Sequence, residues 1–188
     1  MTILIPAPMT ASAVGPQLPR AAAVVRAFTA SPDDDLHPVL VVAAALAIEH
    51  RLRVGVDAIV GDPRADDPVV AAAARTVCAR DAACAVLIER IDRWAAIEFA
   101  EGRAGVLHTE SLGQLIERMA TVWMRGQALA DSRVGASDPR VRLASAQLGE
   151  LGAAYDDLVT DLRLGRRRLP ALQTPRARTG RCNQWRRQ

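Results

Sequence analysis

The spacing of apolar and polar residues along the chain predicts a series of helices. A first helix is expected over residues 20–29. A second is expected over about residues 34–52, because the Ser-Pro-Asp-Asp-Asp run at 31–35 supplies a cap and first-turn acids. Residues 39–48 of this second helix are apolar on every side, a pattern typical of a helix buried in the centre of a fold.

The third helix is expected to open at Asp66-Asp67-Pro68 and to run to about residue 98. An acidic cap followed by proline at the first helical position favours such a start. The apolar residues of this helix recur at helical spacing and define one inward stripe: Val70, Ala74, Val77, Asp81, Cys84, Ile88, Ile91 and Ala95. A single charged residue, Asp81, falls on this stripe.

Two more helices are predicted further along the chain. The fourth covers about residues 111–130 and buries Leu112, Ile116, Met119 and Trp123. The fifth starts at Ser137-Asp138-Pro139 and carries a heptad repeat that lasts to Gly165, formed by Val141, Ala144, Leu148, Leu151, Tyr155, Leu158 and Leu162. Together these elements predict an all-α fold, an antiparallel bundle of about five helices.

Composition agrees with this fold class and divides the chain into three parts. Half of the 188 residues are hydrophobic and only 3% are aromatic, which fits one helical domain of ordinary size. Residues 1–18 have no apolar period and are predicted to be a flexible N-terminal segment, and residues 19–168 form the bundle. Residues 169–188 are rich in arginine and proline and are predicted to be a disordered tail.

Charge separates the body of the protein from its tail. Residues 1–162 carry a net charge of −6, whereas residues 163–188 hold nine arginines and no acid. Binding of nucleic acid or another anionic surface by this tail is one hypothesis. A solvated tail is favoured over it, because the folded body is itself acidic.

The sequence predicts a cytoplasmic protein without a membrane partner. The longest apolar run, residues 38–48, is far shorter than the roughly 20 residues that span a bilayer. The first twenty residues contain four prolines and lack the positive region of a signal peptide. Three cysteines without C-x-x-C spacing fit neither a disulfide framework nor a zinc site, and Cys78 and Cys84 are expected to be small core residues.

Cofactor motifs are missing from the sequence. Neither GxGxxG nor GxxxxGK[ST] occurs, so nucleotide binding through those loops is not expected. His37, His50 and His108 are isolated, and none stands in the Glu-x-x-His arrangement of di-iron bundles. We therefore expect no cofactor and no metal, and we expect each histidine to be a surface or capping residue.

Asp81 is the first candidate site residue, because an unpaired charge on a buried stripe costs several kcal/mol and requires a partner. Arg118 and Arg125 lie two turns apart on the fourth helix, on a stripe that borders its buried side. They are expected to neutralise Asp81 or another carboxylate, or alternatively to grip a phosphate or carboxylate ligand. The structural role is favoured, since most ion pairs on helix faces hold no ligand.

Three carboxylates complete the set of candidate site residues: Asp92, Glu110 and Glu117. Each is a potential partner of the two arginines. Glu110 directly precedes Ser111-Leu112-Gly113, where a carboxylate can accept free backbone N–H groups at the start of a helix. Capping is therefore the favoured role of Glu110.

Three blocks of the sequence resemble the bacterial proteins grouped under domain of unknown function 4254. They are Ile-Glu-Arg-Ile-Asp at 88–92, Glu-Ser-Leu-Gly with Ile-Glu-Arg-Met at 110–119, and Tyr-Asp-Asp-Leu leading to Gly-Arg-Arg-Arg at 155–168. Their order and spacing agree with the family over roughly residues 40–170. Where that family has an aspartate and a lysine in the second block, this chain has Glu117 and Arg125.

The chain also departs from the family pattern, so either its ligand differs or it is a divergent member that has kept the scaffold and lost the site. The family's polar residues on the second helix have no counterparts near Leu46, Glu49 and Arg53, and its Asn-Gln-Gln-Arg-Asn-Asp run is replaced at residues 81–86. The resemblance implies a cytoplasmic helical bundle, often found near genes for surface polysaccharide or sugar metabolism. It implies no particular activity.

Two further functional hypotheses follow from these residues. In the first, an accessory or ligand-binding protein holds a small anionic metabolite, such as a sugar phosphate or sugar nucleotide, in a groove between the third and fourth helices. In the second, a metal-free enzyme of small-molecule biosynthesis uses Asp81, Glu110 or Glu117 as general acid or base and the arginines as anion clamps. A homodimer through the heptad face of residues 139–165 is a separate expectation.

Overall fold

The computed structural model describes residues 17–29, 37–99, 105–131 and 138–172. Within these residues the chain forms five helices and one pair of short strands. In chain order they are α1 (Ala21–Ala27), α2 (Pro38–Val60), α3 (Asp67–Glu98), β1 (Val106–Leu107), α4 (Leu112–Asp131), α5 (Pro139–Arg163) and β2 (Arg167–Arg168). The all-α class predicted from the sequence is therefore confirmed.

Short-range capping signals set the starts of α2 and α5. The Nδ1 atom of His37 accepts a hydrogen bond from the backbone N–H of Val39 at 3.2 Å. Asp138 Oδ1 accepts one from the backbone N–H of Arg140 at 2.7 Å. Both bonds satisfy amides that have no partner within their own helix. Helix α2 therefore begins at Pro38, four residues after the start predicted near residue 34.

Helix α2 is longer than predicted, because it ends at Val60 instead of near residue 52. An i,i+4 ion pair between Arg53 Nε and Asp57 Oδ2 at 3.2 Å spans the extra turns. Gly55 lies within the helix, and a Cβ atom at this position would meet no other atom within 4 Å. A single glycine costs a helix only about 1 kcal/mol relative to alanine, which is too little to end this one.

Helix α2 is also less central than its composition predicts. One side of it is buried and carries Val39, Val42, Ala43, Leu46 and Ala47. On the opposite side Ile48 is 36% exposed and Leu52 is 51% exposed. Only α1, α3 and α4 pack against α2 among the described elements, so the expectation of a helix surrounded on every side is corrected.

All five helices contribute to one hydrophobic core. Its largest fully buried side chains include Tyr155, Phe28, Leu46, Ile91, Leu112, Ile116 and Met119. Helix α4 is the most central element, because it packs against α1, α2, α3 and α5 and buries nine of its own residues. The face that α4 turns towards α2 and α3 is the one that carries the candidate site.

The heptad seam of α5 faces the protein's own core. Tyr155, Leu158 and Leu162 are buried there, and α5 packs against α4 and α1. Most of the apolar surface of this seam is thus covered within the chain. The homodimer through residues 139–165 stays a prediction, with little free apolar surface left to support it.

A short strand pairing that the sequence did not predict ties the segment after α5 to the segment before α4. Strands β1 and β2 are parallel, with Val106 opposite Arg167. The backbone N–H of Val106 donates to the carbonyl oxygen of Arg166 at 2.9 Å. A Cβ atom at Gly105 would lie 2.7 Å from the Arg167 backbone, so only glycine allows this approach.

Gly165 makes the turn that brings β2 to β1. Its φ of +66° lies in the left-handed region, and the N–H of Arg166 reaches back to the carbonyl oxygen of Asp161 at 2.9 Å. This arrangement is the Schellman cap that often ends a helix. The Gly-Arg-Arg-Arg block therefore begins as an ordered helix end.

Core contacts extend into both segments that the sequence assigns to the chain ends. Leu18 is only 6% exposed, and Leu169 packs against the core. Residues 1–16 and 173–188, which hold most of the predicted flexible segment and of the predicted basic tail, lie outside the described residues. No helix in the described ranges is both long enough and apolar enough to cross a membrane.

Tyr155 provides a test of the core. Its side chain is fully buried, burial raises the pKa of its phenol, and its hydroxyl has no hydrogen-bond partner among the described residues. An unpaired buried hydroxyl costs about 1–3 kcal/mol, so Tyr155→Phe should leave the free energy of unfolding unchanged or raise it by up to about 1 kcal/mol. Tyr155→Ala should lower it by about 3–5 kcal/mol. Urea denaturation followed by far-UV circular dichroism measures both, and a clear loss in the phenylalanine variant would contradict the unpaired hydroxyl.

Candidate functional site

Asp81 lies at the boundary between α3 and α2, where it is not buried. Its side chain is 39% exposed, and its Oδ1 accepts a hydrogen bond from Arg53 Nη1 at 2.5 Å. The predicted pairing of Asp81 with Arg118 or Arg125 is therefore wrong. The buried residues of α3 are Ala73, Cys84, Ile91 and Ala95. Asp81 precedes Cys84 by three residues, which places it about 60° around the helix axis from the buried residues of α3. This rotation is enough for its side chain to reach solvent and Arg53.

Polar side chains of three helices meet beside Asp81, and we call this group the polar cluster. It consists of Glu49, His50 and Arg53 of α2, Arg80, Asp81 and Cys84 of α3, and Glu117 and Thr121 of α4. Up to 71 positions of sequence separate residues that are in contact here, as between His50 and Thr121. The cluster therefore exists only because the three helices pack together.

His50 is the most buried polar residue of the cluster, with 7% of its surface exposed. Its Nε2 atom lies 3.5 Å from Glu117 Oε1 and 3.4 Å from the hydroxyl of Thr121. That hydroxyl also donates to Glu117 Oε1 at 3.4 Å. The expectation that His50 is a surface or capping residue is wrong, because α4 covers it. His37 does cap a helix, as expected.

A second pair links α2 to α3 at the edge of the cluster. Arg80 Nη1 donates to Glu49 Oε2 at 3.0 Å, and the two side chains are 35% and 19% exposed. The Nε atom of Arg80 is buried and has no hydrogen-bond partner in the described part of the chain. Solvent thus reaches the rim of the cluster, while donors deeper inside are not fully satisfied.

Cys84 is the free, buried thiol of the cluster. Burial, followed by the negative charges of Glu117, Glu49 and Asp81, raises its pKa to about 11. The thiol is therefore protonated at neutral pH and is a weak nucleophile. The prediction that Cys84 is a small core residue is confirmed. Cys78 is half-buried and disulfide-bonded, so it is not a second free core thiol.

The second group of candidate residues lies at the start of α4, away from His50. Asp92 Oδ1 accepts a hydrogen bond from the backbone N–H of Gly113 at 2.7 Å. Ser111 Oγ accepts one from the N–H of Gln114, and the Gln114 side chain accepts one from the N–H of Ser111. This reciprocal pair is a capping box. Asp92 is thus a cap supplied by a neighbouring helix, which is a structural role.

Gly113 allows α3 and α4 to approach each other at this point. A Cβ atom in its place would lie 2.6 Å from the carbonyl oxygen of Ile88 and 2.9 Å from Asp92 Oδ1. Such distances are not tolerated by real side chains without a shift of the backbone. The glycine of the Glu-Ser-Leu-Gly block therefore fixes the spacing of the two helices.

Glu110 lies just before α4, and Arg118 and Arg125 are exposed residues of α4. Glu110 forms an ion pair with Arg118, whose side chain is 49% exposed. Arg125 is exposed and makes no ion pair with any described residue. The favoured capping role of Glu110 is not seen, since its carboxylate contacts Arg118 and its backbone N–H and C=O contact His108.

The six candidate residues are thus divided between two places and the open surface. Asp81 and Glu117 belong to the polar cluster, and Asp92 caps the start of α4. Glu110 and Arg118 form a partly exposed ion pair, and Arg125 is exposed. Four residues of the polar cluster were not among the candidate site residues predicted from the sequence: His50, Glu49, Arg80 and Thr121. A usable signal was present on α2, where Glu49 and His50 end the apolar run of its first half and Arg53 follows about one turn later.

Two open clefts lie outside the polar cluster. One, of about 450 Å³, is lined by Thr29, Arg51, Val54, Trp123, Met124, Gln127, Ala128 and Asp131. The other, of about 430 Å³, lies between α2 and α3 and is lined by Val56, Ile59, Pro68, Val69, Ala72, Ala73 and Thr76. In the described ranges no group of three or more histidine, cysteine, aspartate or glutamate side chains is arranged to hold a metal ion.

The contact at Gly113 yields a stability prediction with a matched control on the same helix. Gly113→Ala should lower the free energy of unfolding by about 2 kcal/mol or more, because the added methyl group meets the backbone of α3. Gly126→Ala should be neutral or stabilising by up to about 1 kcal/mol, since a Cβ there meets only Ala144 at 3.6 Å. Urea denaturation distinguishes the two, and equal effects would contradict the close approach.

Asp92 yields a prediction about pH. Burial raises the pKa of its carboxyl above the ordinary value of 3.8, and the hydrogen bonds from Ser111 and Gly113 offset only part of this. The folded protein therefore binds this proton more tightly than the unfolded chain does. As pH rises from 3.8 through the raised pKa, the wild type should lose stability relative to Asp92→Asn. The test is to measure the free energy of unfolding of both proteins across this pH window. If the wild type instead became more stable relative to Asp92→Asn as pH rises, the prediction would be contradicted.

The family comparison covers most of the elements described above. The model of the family described as Protein of unknown function (DUF4254) matches residues 41–171, from α2 through the segment after β2. No curated protein and no solved structure matches the chain. The matched region contains the polar cluster, the α3–α4 contact at Gly113 and the β1–β2 pairing. The chain belongs to the DUF4254 family.

Proposed function

We propose that the polar cluster binds a small anionic metabolite with several hydroxyl groups, such as a sugar phosphate or a sugar nucleotide. The observation that carries this proposal is the weak hydrogen bonding inside the cluster. His50 is buried with only long contacts, and the buried Nε atom of Arg80 has no hydrogen-bond partner among the described residues. The imidazole contacts of His50, at 3.4 and 3.5 Å, are longer than the usual 2.7–3.2 Å range of protein hydrogen bonds. Buried polar groups in native proteins are normally well paired, and exceptions point to a missing partner.

The charged side chains around His50 include both donors and acceptors of hydrogen bonds, which is what the hydroxyl groups of a ligand require. Glu49, Asp81 and Glu117 supply acceptors, while the guanidinium groups of Arg53 and Arg80 supply donors. A sugar ring offers both donors and acceptors at each hydroxyl, so it can satisfy such a mixed set. An apolar ligand would leave these groups unpaired at a cost of about 1–3 kcal/mol each.

The anionic part of the ligand needs a guanidinium group that is not already neutralised. Arg53 and Arg80 are paired with Asp81 and Glu49. Arg125 is one turn beyond Thr121 on α4 and makes no ion pair with the described residues. We assign the phosphate contact to Arg125, and we leave Asp92, Glu110 and Arg118 in their structural roles.

The partial exposure of Glu117 supports a second candidate function, a metal-free enzyme of small-molecule biosynthesis. Its carboxylate is 33% exposed and lies beside the imidazole of His50. A carboxylate next to a histidine can act as general acid or base when a substrate proton comes within reach. Chemical change of a bound ligand, followed by NMR during incubation with the protein, would distinguish catalysis from binding.

Isothermal titration calorimetry with a panel of sugar phosphates and sugar nucleotides tests the binding proposal. Glu117→Gln should weaken binding about tenfold or more, because it removes a charged hydrogen-bond acceptor while keeping the shape of the side chain. Glu110→Gln is the matched control on the same stretch of chain and should bind as the wild type does. Arg125→Ala should weaken binding of the phosphorylated ligand but not of the same sugar without phosphate.

Each outcome of this titration decides between clear alternatives. Absence of binding across the panel would contradict the proposal. Equal losses in Glu117→Gln and Glu110→Gln would place the ligand elsewhere on the chain. Equal losses of phosphorylated and unphosphorylated sugar in Arg125→Ala would remove Arg125 from the site.

A further inference from the structure

An uncharged strip runs along the outer faces of α2 and α3, and we call it the outer seam. On α2 its residues are spaced alternately four and three apart: Val41, Ala45, Ile48, Leu52, Gly55 and Ile59. On α3 the spacing is three and four: Val69, Ala72, Thr76, Ala79, Ala83 and Val86. None of these twelve residues is buried, although all but Thr76 are apolar or glycine.

The outer seam lies on the side of the helices that the core does not use. The buried residues of α2, such as Leu46 and His50, are about half a helical turn away from Ile48 and Leu52. Ile48, Leu52, Ile59, Val69 and Val86 are between 36% and 60% exposed. The Thr76 hydroxyl donates to the carbonyl oxygen of Ala72 at 3.1 Å, so it adds no unpaired polar group.

The two halves of the seam border a common groove. Ile59 of α2 and Val69, Ala72 and Thr76 of α3 line the cleft of about 430 Å³ between these helices. No charged residue lines this cleft. Charged residues make up 24% of the chain, so a solvent-exposed face of this length would be expected to contain several of them. Their absence from the outer seam indicates a surface that another molecule covers.

We propose that the outer seam is the interface of a homodimer, in which the α2–α3 pair of one chain packs against the α2–α3 pair of a second copy. Alternating three- and four-residue spacing is the pattern by which one helix packs against another in coiled coils and bundles. The pairing joins four helices around a shared apolar centre. A surface without charge meets its own copy without like-charge repulsion, which suits a two-fold interface.

The size of the seam is sufficient for such a dimer. Its length of about 19 residues corresponds to roughly 28 Å along a helix, and two adjacent helices are about 20 Å wide. Each chain therefore contributes on the order of 500 Å², or about 1,000 Å² in total, which is the threshold for a specific interface and corresponds to a weak dimer. The small residues on α3 allow the helices to approach closely and so improve the fit.

Analytical ultracentrifugation of the full chain in buffer without reductant, which keeps the disulfide bond of Cys78, tests the proposal. The wild type should sediment with twice the 20.1 kDa mass of the chain at tens of micromolar. Leu52→Glu and Val86→Glu, at positions 51% and 60% exposed in the single chain, should each give the single-chain mass at the same concentration. Unchanged far-UV circular dichroism shows that these variants keep their fold.

Two controls separate the outer seam from other faces. Val54→Glu changes a residue of α2 that is 41% exposed and lies beside the other cleft, and Leu143→Glu changes one of α5 that is 58% exposed. Both should remain dimers. A monomeric wild type, or a dimer that persists in both seam variants, would overturn the proposal. The inference does not rest on ligand binding, since the seam lies outside the polar cluster.

Discussion

The close approach of α3 and α4 at Gly113 sets the helix spacing on which the polar cluster depends. The carbonyl oxygen of Ile88 and the carboxylate of Asp92 occupy the space that a side chain at Gly113 would need. Asp92 in turn accepts a hydrogen bond from the backbone N–H of Gly113 in the first turn of α4, so the same contact fixes both the distance between the helices and the start of α4. One turn further along, Glu117 consequently comes to lie near Cys84, and His50 lies beside both Glu117 and Thr121.

The polar cluster departs from the packing around it. Helix α4 buries nine residues, and most of the core it faces is aliphatic. Burying His50 at the edge of that core, beside the partly exposed Glu117 and Thr121, costs desolvation, and long hydrogen bonds recover only part of the cost. A fold selected for stability alone would be served better by apolar residues here. This local cost is the physical basis for assigning a ligand to the cluster.

Helix α2 has different roles on its different sides. Its inner side supplies core residues such as Leu46, its border with α3 supplies Glu49 and Arg53, and its outer side supplies Ile48 and Leu52. The near-continuous apolar composition of its first half is therefore shared between the core and an exposed face. In the proposed dimer, the polar cluster and the subunit interface lie on adjacent sides of the same two helices.

Local signals in the sequence determined the helices, most of their starts and the family. Pro68 and Asp138-Pro139 mark helix starts because proline in the first turn, and a side-chain cap at Asp138, involve residues only a few positions apart. The buried positions Cys84, Ile91 and Ala95 follow from helical periodicity. The tertiary structure alone decided the partner of Asp81, the burial of His50 and the β1–β2 pairing. Helical periodicity predicts the direction of a side chain around the helix axis only to within about 60°. A difference of that size separates the buried Cys84 from the partly exposed Asp81. Contacts between residues 71 positions apart, such as His50 and Thr121, depend on helix packing that no local pattern encodes.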